Sequence, residues 1–187
     1  MHVLLVLVVL ALTPAAAHAA AFTLSAEQKK EAMRVGASSI SEESFDAEWR
    51  VSNGGAEAVT VLTPFHRLAV AARNAAFKNE TLKPSEPDRL LRQEGNRLVL
   101  WVQLRGRHES FARFYAPRLV AGTRVIKPAF VQNERTAARQ EDGAYVARCV
   151  YGFSTHDLTE AAKVALVVAD AEGREVSRFH IDLSTMR

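Results

Sequence analysis

The feature that most restricts how this chain can fold is its alternation. Along most of its length, apolar and polar residues trade places every second position, in short runs separated by turn-forming residues. Such a period places one side chain of each pair on a buried face and the next in water, which describes β-strands in an antiparallel sheet. The runs are 45–52 (FDAEWRVS), 56–63 (AEAVTVLT), 97–105 (RLVLWVQLR), 111–117 (FARFYAP), 123–131 (TRVIKPAFV), 144–153 (AYVARCVYGF), 163–169 (KVALVVA) and 175–184 (EVSRFHIDLS). In the first, Phe45, Ala47, Trp49 and Val51 point one way, and Asp46, Glu48 and Arg50 the other. Asn53-Gly54-Gly55 joins the first two as a hairpin, and Asp170 and Gly173 make the turn between the last two. Eight strands at this spacing predict a mainly β fold, an antiparallel β-sandwich rather than βαβ units. Immunoglobulin-like topology is compatible with the count, although the paired cysteines of true immunoglobulin domains are missing.

Two stretches break the alternation. In 25–36, Ser25 stands as an N-cap with Gln28 at the capping-box position, and Gly36 as the stop. The apolar stripe of this N-terminal helix (Ala26, Ala32, Met33, Val35) is thin, so it is expected to lie loosely on the domain. The second is an Ala-rich helical insert between the second and third strands. Thr63 can cap it, and Pro64 sits at the first helical position, where its missing N–H costs nothing. At 3.6 residues per turn Phe65, Leu68, Ala69, Ala71, Ala72, Ala75 and Ala76 fall on one arc, small enough for close approach to a sheet.

The first nineteen residues form a separate unit. An apolar run from Val3 to Leu12, then Pro14 and Ala17-His18-Ala19, has the layout of a secretory signal peptide cleaved after Ala19. The run is too short for a comfortable transmembrane helix, so no stable membrane span is expected after cleavage. The chain then divides into a signal (1–19), an N-terminal helical segment (20–43) and a β-sandwich domain (44–187) with its helical insert at 64–94. A mature chain of roughly 165 residues suffices for one core. Cys149 is the single cysteine, which rules out an intramolecular disulfide in an exported chain. The localisation expected is periplasmic or secreted.

Two surfaces are candidates for binding. Val70 and Phe77 are seven residues apart on the insert helix and form a second apolar stripe, with His66 and Arg73 beside it. That strip would either dock a partner or be covered by 82–95, where Leu82, Leu90 and Leu91 are available. The other surface is a basic run: Arg105, Arg107, Arg113, Arg118, Arg124 and Lys127 are opposed only by Glu109. With a net charge of +3 and a pI near 9.2, it would suit a protein partner or an anionic envelope component. Nucleic acid is disfavoured by export and by the absence of a recognition motif.

Catalytic sets are sparse. Cys149 with His156 and Asp157 has the residue types of a thiol nucleophile and its base, yet alternation places Cys149 on the face of Tyr145, Ala147, Tyr151 and Phe153, as a buried hydrophobe. Asp46 and Glu48 share a strand face beside Arg50, which makes a solvated edge. His180 and Asp182 alternate onto one face without a third ligand, and Arg178 there would repel a cation. Neither a metal nor a cofactor is expected, and no phosphate loop or dinucleotide fingerprint is present. The expectation is a non-enzymatic binding or assembly module acting outside the cytoplasm; the alternative is a small exported hydrolase-like enzyme whose site is assembled from residues distant in sequence.

Overall fold

The computed structural model describes residues 20–187; residues 1–19, for which a signal peptide is expected, lie outside them. The chain forms two antiparallel sheets and three helices around one continuous core. The first sheet has the order β1(Arg50–Ser52), β2(Ala58–Leu62), β3(Arg97–Gly106), a long β8(Tyr145–Ser154), then β6(Pro128–Gln132), with the two-residue β7(Ala138–Arg139) also on β8. The second has the order β10(Glu175–Asp182), β9(Lys163–Ala169), β4(Ala116–Ala121), β5(Arg124–Ile126).

Alternation does in space what it implies in sequence. On β3, Leu98, Leu100, Val102 and Leu104 are buried, and on β8 so are Ala147, Cys149, Tyr151 and Phe153. They meet Leu119 of β4, Val164, Leu166 and Val168 of β9, and Phe179 and Ile181 of β10 in the same cluster. Among the described residues no helix is long and apolar enough to cross a membrane.

The helices begin where their caps say. The Ser25 hydroxyl accepts from the Gln28 N–H while the Gln28 side chain accepts from the Ser25 N–H, closing the capping box of α1(Ala26–Ser38). The Thr63 side chain accepts from the His66 N–H at the start of α2(Pro64–Phe77). The insert contains a third helix, α3(Glu86–Glu94).

Four expectations are corrected. Gly36 does not stop α1, which continues to Ser38; it is where α1 crosses α2, and a Cβ on it would lie 2.0 Å from the Ala69 carbonyl oxygen. Only glycine permits that approach, so α1 is not loosely attached. The small residues of α2 thus admit a helix where a sheet was expected, with Phe65, Leu68, Ala69 and Ala72 buried. Second, 45–52 is not one strand: a 3-10 turn over Ala47–Trp49 precedes the short β1. Phe45 and Trp49 are both buried at a spacing of four, which one helical turn satisfies as well as alternation does, and Ala47 is exposed. Third, 111–117 is mostly turn. Phe111 and Ala112 are buried in succession, which a strand cannot do against one core, and the Phe111 ring occupies the space a Cβ on Gly106 would take. Fourth, 123–131 is two strands of different sheets, parted by Lys127 before Pro128.

Candidate functional site

The four residues of the expected α2 strip do not form one surface. Phe77, the last residue of the helix, is 74% exposed, whereas Val70 is half-buried against the core. His66 is 2% exposed. Its Nε2 is 2.8 Å from Asp46 Oδ1, and its ring lies against Trp49 (centroids 4.6 Å apart) and Phe45 (6.0 Å). Burial pushes its pKa down, against the upward pull of the Asp46 carboxylate. A neutral ring donates through Nε2 and leaves Nδ1 a bare acceptor, and Nδ1 has no hydrogen-bond partner. Arg73 donates to the carbonyls of Ile40 and Glu42, and its guanidinium stacks 4.7 Å over Phe45. Both side chains therefore fasten the 40–46 segment to α2 instead of facing a partner. Nearby, Glu48 grips the Arg187 guanidinium through two oxygens, and the Arg187 carbonyl accepts from Trp49 Nε1 at 2.8 Å and from the Thr63 hydroxyl. Asp46 and Glu48, expected to share a solvated strand face, thus serve two different partners, His66 and Arg187.

The basic run is divided between the sheets. Arg105 pairs with Asp142 on the first sheet, while Arg124 pairs with Asp157 at 2.9 Å on the second. Arg118 belongs to β4, Lys127 stands between β5 and β6, and Arg113 stacks over its neighbour Phe114 at 5.3 Å. Arg107 lines a shallow depression with Asn53, Gly54 and Glu57. Exposed arginines already paired in this way contribute little binding energy.

Cys149 is 1% exposed on the inner face of β8, where burial pushes its thiol pKa up; His156 and Asp157 lie in the turn beyond that strand. Asp182 accepts from Ser184 and pairs with Lys163 at 3.2 Å, apart from any role with His180. Among the described residues no three His, Cys, Asp or Glu are placed to hold a metal ion.

A cleft assembled from three helices is the concave site that sequence reading missed. Residues Phe22–Leu24 ahead of α1, Pro64 and Arg67 of α2, Leu91 and Arg92 of α3, and Gly95–Arg97 entering β3 enclose about 360 Å³. Phe22, Leu24, Leu62, Pro64 and Leu91 supply an apolar lining. Lys29, Arg67, Arg92 and Arg97 supply positive charge, opposed within the lining by Asp88, which Lys29 engages at 2.7 Å. That bridge also ties α1 to α3 across the cleft. The volume falls in the range of small-molecule sites. The sequence signal was the set Leu82, Leu90 and Leu91, expected as cover for Val70 and Phe77; of these, Leu91 lines the cleft.

No family model matches the chain, and no curated protein matches it. Among solved structures, it is similar to a crystal structure, at 1.90 Å resolution, of a novel protein of unknown function from Burkholderia pseudomallei K96243, with 10% sequence identity over 87% of this chain and 91% of that one, and a TM-score of 0.43.

Proposed function

We propose that the chain is an exported, non-enzymatic binding module, and that its ligand is a small amphipathic anion of the cell envelope, an alkyl chain carrying a carboxylate, sulfate or phosphate head. The observation that carries this reading is the cleft between α1, α2 and α3, where an apolar lining and four cationic residues, Lys29 among them paired with Asp88, border about 360 Å³. The apolar walls favour burial of a short chain, and arginine forks match an oxyanion head bidentately. Export rests on the signal-peptide layout of residues 1–19.

The scaffold reading is immunoglobulin-like. The order β2-β3-β8-β6 corresponds to strands A-B-E-D, and β10-β9-β4-β5 to G-F-C with one added strand, which supports the assignment. In that scheme the α2–α3 insert occupies the connection between A and B.

The test is displacement of anilinonaphthalene sulfonate from the mature chain by decanoate. Arg92→Glu should weaken decanoate about tenfold, near 1.4 kcal/mol, and decanol should compete less well than decanoate. No displacement from wild type, or equal displacement from wild type and Arg92→Glu, overturns the reading. Export is checked by the N-terminal mass of the protein recovered from an extracytoplasmic fraction: Ala20 first is expected, and retention of residues 1–19 in the cytosol refutes it.

A further inference from the structure

We propose that the outer face of the first sheet, centred on Trp101, is a second site, and that it binds an acidic saccharide, a chain containing hexuronate units. Trp101 sits on β3, the middle strand of the path β1-β2-β3-β8-β6. Its flanking residues Leu100 and Val102 are buried in the core, so the indole stands on the opposite face, and it is 52% exposed. A large aromatic in the centre of a sheet, facing water, has no part in the core.

Its surroundings are polar and in register. Arg50, Thr60, Trp101 and Val150 form one row across four strands, and Ala58, Gln103 and Arg148 form the next. Directly opposed residues share a face, so all of these project outward with the indole. The small side chains of Ala58 and Thr60 leave a depression beside the ring of about 280 Å³, which Asp46 also lines. Arg50 is two strands from Trp101, about 10 Å at the usual strand spacing; Arg148 is its diagonal neighbour on the other side, about 7–8 Å away. Among the described residues, the guanidinium groups of Arg50 and Arg148 make no hydrogen bond or ion pair, although the Glu134 carboxylate lies close by, accepting from the Arg148 backbone N–H at 2.6 Å.

These features fit one ligand chemistry. A sugar ring has an apolar face of C–H groups, which an indole can cover, and an equator of hydroxyls that need planar donors and acceptors such as Gln103 and Asp46. Two unengaged arginines on opposite sides of the ring add carboxylate recognition, which selects uronates over neutral sugars. A single-stranded nucleic acid would need successive aromatic platforms for successive bases. The next aromatic on this face, Phe130, lies across Gly152 beneath Arg97. An apolar protein partner would need a broad hydrophobic patch around the indole, whereas Val150 and Ala58 stand there among Arg50, Thr60, Gln103 and Arg148.

The fluorescence of the protein reads this site directly. The chain has two tryptophans, and Trp49 is 1% exposed, so a ligand at Trp101 perturbs the accessible one. Trigalacturonate titrated into the mature chain should shift the emission with a saturable curve, and its neutral counterpart of three galactose units should bind at least fivefold more weakly. Trp101→Ala, followed by calorimetry, should reduce affinity for trigalacturonate at least tenfold. Arg50→Gln/Arg148→Gln should remove most of the preference for charge while circular dichroism stays that of wild type. Decanoate binding in the helical cleft should be unchanged by all of these variants, which separates failure of this site from failure of the cleft. No binding of trigalacturonate, equal binding by Trp101→Ala, or tighter binding of a trinucleotide than of trigalacturonate would each overturn the assignment.

Discussion

Replacing Gly36 by alanine inverts the usual rule for helices. In an ordinary helix interior the change stabilises by about 0.8–1.0 kcal/mol, through lower backbone entropy in the unfolded chain and better helix propensity. Here the new Cβ would fall 2.0 Å from the Ala69 carbonyl oxygen and 2.8 Å from its carbon. Ordinary contact begins near 3.4 Å, so α1 and α2 must part by about 1.4 Å, the difference between the two distances. A radial gap of 0.5–1 Å already forfeits about a quarter to a half of the dispersion energy of a contact. The obstacle is backbone, not a side chain that can turn aside, which places the cost toward the upper end of about 1–3 kcal/mol for overpacking. Subtracting the propensity gain leaves a net loss of about 2 kcal/mol. For a domain of this size that lowers Tm by about 4–8 °C. Calorimetric melts of wild type and Gly36→Ala measure it. Truncating the facing side chain should not help, because Ala69→Gly removes none of the two closest atoms; the double mutant should be no more stable than Gly36→Ala. An unchanged or raised Tm for Gly36→Ala refutes the close helix crossing.

Two further outcomes follow from buried groups. His66 has a folded pKa below its unfolded one, so its contribution to stability is present above the unfolded pKa of about 6.5 and is lost as pH falls from there through the folded value. Urea unfolding at pH 7.5 and 5.5 should show a loss for wild type that is smaller for His66→Gln; an identical pH dependence in both would mean that the ring is not the titrating group. Cys149 should resist a disulfide reagent in the native protein and react fully once unfolded in urea, since burial both shields the thiol and raises its pKa; rapid native reaction would show that β8 opens easily.

Local signals located some elements well because local physics decides them. Thr63-Pro64 marks the start of α2, and the observed helix ends at Phe77 before Asn79, which takes a positive φ of 57°. The strand at Lys163–Ala169 has the bounds its short continuous apolar run implies. Misreadings occurred where two explanations share one spacing. Phe45 and Trp49 satisfy both period two and one helical turn, and the grip of His66 and Arg73 on this segment, invisible in sequence, selects the turn. Residues 124–132 keep a strand-like composition through Lys127 while the chain changes sheets. The cleft was not legible, since its walls come from 22–24, 64–67 and 91–97, which only helix packing brings together. Trp101 was visible as a strand residue, but alternation alone does not say which face meets the core when Leu, Val and Trp all occur in one run.

The passage at Lys127 also has a mechanical meaning. One residue links β5, an edge of the second sheet, to β6, an edge of the first. That link acts as a rivet: at this corner the sheets cannot slide past one another or splay without breaking strand pairing in one of them. The other two sheet edges, β1 and β10, lie together on the opposite side, where Ser177 of β10 donates to Glu57. There β1 offers three residues, and a register shift between Glu175 and Ser177 interrupts β10. Short and irregular edges are poor templates for a foreign strand. Resistance to shear is thus concentrated at one corner and resistance to unwanted pairing at the other.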